Sequence, residues 1–77
     1  MNKKLKEIRQ AKGLSQSKLA EKTGISIRTI QHYEQGAKDF NHARIDTILK
    51  VCVTLNCKLE EIIDNPDYIE LMKKLPN

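Results

Sequence analysis

The sequence predicts an all-α domain of five or six short helices. Three observations carry that expectation. Apolar residues recur three and four positions apart, as in Leu5 with Ile8 and in Ile45, Ile48, Leu49, Cys52 and Leu55, the period of a helix buried along one face. Capping residues and helix stops, such as Ser15, Gly24, Ser26, Gly36 and Asn65, bracket these stretches. The 77 residues are 39 % hydrophobic and 31 % charged, enough for one globular domain with a small core and too apolar for a disordered chain.

The first helix is expected from about Asn2 to Lys12, with Leu5, Ile8 and Ala11 on one stripe and Lys3, Lys4, Lys6 and Lys12 around the rest of the cylinder. Gly13 closes it and Leu14 packs beneath. The stretch from Ser15 to Gly36 then holds two short amphipathic helices joined by a tight turn. Ser15 caps the first, Gln16 to Lys22, since its hydroxyl accepts from orphan backbone amides. Leu19 and Ala20 form its buried face. Gly24 ends it, because glycine takes the left-handed conformation without a Cβ penalty. Ile25 is the buried turn residue. Ser26 caps the second helix, Ile27 to Gln35, which points Ile30 and Tyr33 inward before Gly36 stops it. Two helices this short, set at an angle by a brief turn, make a helix-turn-helix. Neither holds itself folded in water, so the flanking segments must supply the core.

Gln16, Ala20, Gly24, Ile25, Ser26, Ile30, Tyr33, Glu34 and Gly36 carry a resemblance. With small, apolar and capping residues at these offsets, the chain resembles the Cro and phage-repressor (XRE-like) helix-turn-helix regulators over roughly Leu5 to Ile63. The resemblance implies a lambda-repressor-like fold and a DNA-binding rather than enzymatic role. It also implies that the first helix lies near the DNA backbone, that Gln16 contacts phosphate and braces the recognition helix, and that His32 contacts a base. Arg9 and Glu34 match a family pair that ties the first helix to the third. Both are therefore read as scaffold rather than as base contacts.

The residues themselves sharpen the recognition helix. Ile27 and Arg28 lie in its first turn, the end that enters a major groove. The planar guanidinium of Arg28 fits O6 and N7 of guanine, or else binds phosphate and fixes position without reading sequence. Ile27 is an exposed apolar residue suited to a thymine methyl. Gln31 contacts a base or a phosphate, and His32 sits one turn beyond Arg28. Base reading is thus expected from Ile27, Arg28, Gln31 and His32, and phosphate binding from Gln16, Ser17, Lys38 and Arg44. A helix N-terminus such as that at Gln16 suits an anion because its amides are free and its dipole is positive.

Downstream, the polar loop from Gly36 to about His42 is pinned by Phe40, the only phenylalanine, acting as an apolar plug. Asn41 suits the loop or the following cap. A fourth helix, Ala43 to Leu55, buries Ile45, Ile48, Leu49, Cys52 and Leu55. Val51 and Val53 fall partly off that stripe and leave room for a second apolar surface. Asn56 takes the left-handed position after the helix. A fifth helix spans Leu59 to Ile63. Residues 1–63 form the helix-turn-helix domain. Residues 64–77 form a C-terminal helix, opened by Asn65 and Pro66, that extends it. Tyr68, Ile69, Met72 and Leu75 are too apolar for a free tail. The helix folds back on its own domain or pairs with a second subunit, and a dimer interface is the preferred expectation.

Composition limits the alternatives. Residues 1–50 carry a net charge of +6 and residues 51–77 a net of −2, so a basic part faces a polyanion and an acidic part does something else. Cys52 and Cys57 have no zinc spacing and read as small apolar side chains. No apolar run reaches a membrane span. The N-terminus lacks a signal-peptide core, which makes the cytoplasm, on the nucleoid when DNA-bound, the expected location. No cofactor, metal or catalytic group is expected. The sequence thus points to a transcriptional regulator, by default a repressor, binding double-stranded DNA as a homodimer on a palindrome. The alternative is a partner-dependent interaction module, such as an antitoxin or a controller protein of a mobile element or restriction–modification system, docking a regulatory protein through its C-terminal helix.

Overall fold

The computed structural model describes residues 3–76. Six α-helices follow one another: α1 Lys4–Ala11, α2 Gln16–Thr23, α3 Ile27–Gln35, α4 Ile45–Leu55, α5 Leu59–Ile62 and α6 Pro66–Lys73, with a single 3-10 turn at Phe40–His42 before α4. The described residues contain no strand, and the fold is the expected all-α one. The expected start of the first helix at Asn2 lies outside the described residues.

The core draws on every helix but the last. Leu5 of α1, Leu19 of α2, Ile30 and Tyr33 of α3, Ile48, Val51, Cys52 and Leu55 of α4 and Ile62 of α5 are buried together. Phe40 and Ile63 join them from the connecting segments. Phe40 is fully buried, and its ring meets Tyr33 edge-on with centroids 5.2 Å apart, an arrangement that adds about 1 kcal/mol beyond burial. It pins the α3–α4 connection as expected of a plug. At the other end of α1, Lys4 Nζ donates to the carbonyl of Ile63 at 3.2 Å and ties the first helix to the exit of α5.

Helix α4 departs from expectation in two ways. It begins at Ile45 rather than Ala43, because the 3-10 turn takes up the chain through His42. Ile45 and Leu49, expected in the core, are exposed, whereas Val51, expected at its margin, is buried. The reason is degeneracy in the pattern. Ile48, Val51, Cys52 and Leu55 satisfy the helical spacing as well as the expected set does. Packing against the rest of the core selects between the two faces. Asn56 takes the left-handed conformation at φ 50°, alone among the described non-glycine residues.

Helix α6 folds back on its own domain. Tyr68, Ile69 and Met72 are half-buried against the core, and Leu71 and Leu75 are exposed. Asn65 caps it by accepting from the amides of Asp67 and Tyr68 at 2.9 and 3.3 Å, with Pro66 at the first helical position. The residue that holds α6 in place is Asn41. Its side chain is buried, donates to Asp39 at 2.9 Å and to Asp64 at 2.7 Å, and accepts from the backbone amides of Asp64 and Asn65 at 2.9 and 3.2 Å. One amide side chain thus fastens the 3-10 turn to the α5–α6 connection. Asn41→Ala would strand these groups, and we expect a stability loss of about 1–3 kcal/mol in urea denaturation. Amide exchange should accelerate first in residues 66–73. An unchanged midpoint would show that the network contributes nothing.

Candidate nucleic-acid interface

The α2–turn–α3 unit is assembled from local caps. Ser15 Oγ accepts from the amide of Lys18 at 3.0 Å and Ser26 Oγ from that of Thr29 at 3.1 Å, so each helix has one orphan amide satisfied by its own cap. Between them, buried Thr23 donates to the carbonyl of Leu19 at 2.7 Å and accepts from the amide of Ile25 at 3.2 Å. Gly24 sits at φ 76°, where a side chain would strain the backbone although the space around it is open.

The angle of α3 is set from behind. The structure brings Arg9 of α1 onto Glu34 of α3 in a two-pronged ion pair, Nε to Oε2 at 2.7 Å and Nη2 to Oε1 at 2.9 Å. The two side chains are only 8 and 3 % exposed. The third prong, Nη1, donates to the carbonyl of Leu14 at 2.7 Å and anchors the α1–α2 connection as well. Burial disfavours the Glu34 carboxylate. Hydrogen bonds from Arg9 and Gln16, with the charges of Arg9 and Lys6, outweigh it and hold Glu34 below its ordinary value. The bond to Glu34 raises Arg9.

The chain of polar contacts continues to the surface. Gln16 Nε2 donates to Glu34 Oε1 at 3.0 Å, and Gln16 Oε1 accepts from Gln31 Nε2 at 3.4 Å. Gln16 thus stands between the buried pair and the open side of α3. On that side Ile27 is 39 % exposed and Arg28 is exposed, with no ion pair or hydrogen bond to its side chain among the described residues. Gln31 and His32 are half-buried one turn further on. Ile27 with Gln31, and Arg28 with His32, lie four apart and share one face of α3.

The remaining candidate phosphate ligands are dispersed. Ser17 is exposed in the first turn of α2 beside Gln16. Lys38 is exposed just past α3, and its amide donates to the carbonyl of His32 at 3.1 Å, which fastens the loop to the helix end. Arg44 is exposed at the start of α4 and pairs with Asp46 at 3.2 Å, and among the described residues no hydrogen bond or ion pair joins its side chain to α2 or α3. Gln16 braces α3 as expected, through Glu34 and Gln31, but the bond between Arg9 and the Leu14 carbonyl was not expected. A carbonyl acceptor leaves no mark in a residue pattern.

A family model described as helix-turn-helix matches residues 5–62. The chain belongs to this helix-turn-helix family, of the Cro/XRE type. No curated protein compared with the chain matches it. Helix-turn-helix domains of this type bind DNA as regulators and are not enzymes. None of the described helices is long and apolar enough to cross a membrane, and no group of three potential metal-ligating side chains occurs among the described residues.

Breaking the buried pair from one side should be costly. We expect Glu34→Ala to lower unfolding stability by about 3 kcal/mol, because it leaves the Arg9 charge buried and unpaired. Arg9→Met with Glu34→Leu together should recover much of that in thermal and urea melts. The acid dependence follows from the lowered Glu34. Its contribution is fully present above the ordinary carboxylate range and is lost as pH falls through the lower folded-state value. The slope of stability against pH below about 4.5 should therefore flatten in the double variant.

Proposed function

We propose that this helix-turn-helix protein is a sequence-specific regulator of transcription, acting in the cytoplasm as a homodimeric repressor on a palindromic operator. The observation that carries the reading is the contrast between the two sides of α3. Its rear is locked by Arg9, Glu34 and Gln16, while Ile27 and Arg28 at its N-terminal end stand open to solvent, with no hydrogen bond or ion pair to the Arg28 side chain among the described residues. A rigid helix with an open, mixed apolar and cationic first turn suits insertion into a major groove.

In this reading Arg28 reads guanine through its fork and Ile27 packs on a thymine methyl. Gln31 and His32 contact bases one turn along. Gln16, Ser17, Lys38 and Arg44 bind phosphate and supply affinity that falls steeply with salt. Repression follows by steric exclusion of polymerase. Helix α6, through Leu75 and the outer edges of Tyr68, Ile69 and Met72, contributes to the contact between subunits, and two-fold pairing sets the recognition helices about 34 Å apart.

Selection of bound duplexes from a random pool tests this reading, run on the wild type and on two variants. A palindrome with half-sites about one helical turn apart is expected. Arg28→Ala should lose discrimination at one base position per half-site, at roughly 1–3 kcal/mol. Gln16→Ala should weaken all sequences evenly. Equal losses on every sequence from both variants would remove Arg28 from the reading role. No enrichment with folded protein would transfer the reading to the partner-dependent module.

A further inference from the structure

The proposed DNA reading uses neither cysteine. Cys52 in the last turn of α4 and Cys57 just beyond it are both free, and the way the helix ends folds one onto the other. Asn56 turns left-handed at φ 50°. The amide of Cys57 then donates back to the carbonyl of Cys52 at 3.0 Å, and the amide of Asn56 to that of Val53 at 3.2 Å. These are the two bonds of a Schellman cap, in which the side chain beyond the helix packs on the one that opens its last turn. That contact is ordinarily apolar. Here both of its side chains carry sulfur, and the two thiols interact as hydrogen-bond partners.

The surroundings decide what such a pair holds. Cys52 is buried in the core, whereas Cys57 is half-buried and gives the pair an opening to solvent. Among the described residues no group of three histidine, cysteine or carboxylate side chains is placed to hold a metal ion, so the four-donor shell of structural zinc has no counterpart there. Two sulfurs without a third donor suit a soft, closed-shell monovalent ion, which sulfur ligands select and which accepts two ligands in line. Burial pushes both thiols up, Cys52 to about 12. At neutral pH the pair is therefore protonated, and an ion must be strongly thiophilic to displace those protons. On the open side the Lys12 ammonium favours the Cys57 thiolate, and the Glu61 carboxylate opposes ionisation of both sulfurs.

We propose that Cys52 and Cys57 form a two-coordinate site for a soft monovalent metal ion of the copper(I) class, held between the two sulfurs at the C-terminal cap of α4. Binding exchanges protons for metal. Each thiol releases one proton to solvent, each sulfur forms one bond to the same ion, and the oxidation state of the metal does not change. The loaded site carries one net negative charge, which the Lys12 ammonium partly offsets.

Anaerobic titration of the full, reduced chain with copper(I) against a chromophoric copper(I) chelator tests it, with zinc as the contrasting ion and circular dichroism checking the fold. One ion per chain, a thiolate-to-metal absorption band in the ultraviolet and two protons released per ion are expected. Cys57→Ser and Cys57→Ala, at the half-buried position, should each weaken binding at least about 100-fold, more than the loss of an outer-shell partner costs. Zinc should bind the wild type no tighter than it binds these variants. Copper(I) held equally by wild type and Cys57→Ser would overturn the site, as would one proton released per ion. One ion per two chains would overturn the pairing within a chain. Zinc bound through both sulfurs as tightly as copper(I) would overturn the two-coordinate assignment. The proton count and stoichiometry are read on the wild type, so they decide the matter whatever the variants do to the fold.

Discussion

The ion pair between Arg9 and Glu34 is the constraint on which the rest of this structure depends. Helices α2 and α3 have eight and nine residues, too few to persist alone, and apolar packing alone tolerates small rotations of such helices. A two-pronged guanidinium–carboxylate pair does not, because both prongs are satisfied in one plane. Arg9 spends its third prong on Leu14, so one side chain fixes α1, the entrance to α2 and the far end of α3. Burying these charges carries a desolvation cost that attraction alone need not repay. The physical return is orientation: a reading helix held at one angle to its neighbours.

Gln16 extends that constraint to the surface. A primary amide has one acceptor oxygen and two donor hydrogens. The oxygen accepts from Gln31 and one hydrogen is given to Glu34, which fixes the side chain between α2 and α3 and leaves the second hydrogen for an anion outside. On the proposed reading a phosphate bound there is coupled through two hydrogen bonds to the buried pair, so backbone contact and recognition-helix angle are set together. Arg28 has no such tether among the described residues, which on the proposed reading leaves it free to adapt to a base edge.

Much of this was legible in the sequence because it is local. Ser15, Gly24, Ser26 and Gly36 mark their helix ends by rules acting within four residues, and α3 occupies the expected span. Phe40 was legible as a plug because a lone aromatic in a polar loop has few other places to go. Two features were hidden. The face that α4 buries is ambiguous because apolar residues cover more than half its circumference, so Ile45 and Leu49 fit a core pattern that tertiary packing assigns to Val51 instead. The role of Asn41 depends on Asp64 and Asn65, more than twenty positions away. An asparagine in a loop looks the same whether it faces water or a buried backbone.

The same ambiguity in α4 bears on function. A helix apolar on one face completes a core and stops there. A helix apolar on two faces completes a core and presents a second one. A formal charge of +4 and four proposed base-reading residues limit what one head achieves on DNA. Joining two heads makes the second contact intramolecular, at an effective concentration that reaches the millimolar range. The unequal charge of the chain, +6 over residues 1–50 and −2 beyond, favours the same division of labour. The acidic C-terminal segment is repelled by the polyanion that the basic segment approaches. Because α6 is anchored through Asn41 to the 3-10 turn between α3 and α4, the last helix is held in the same frame as α3.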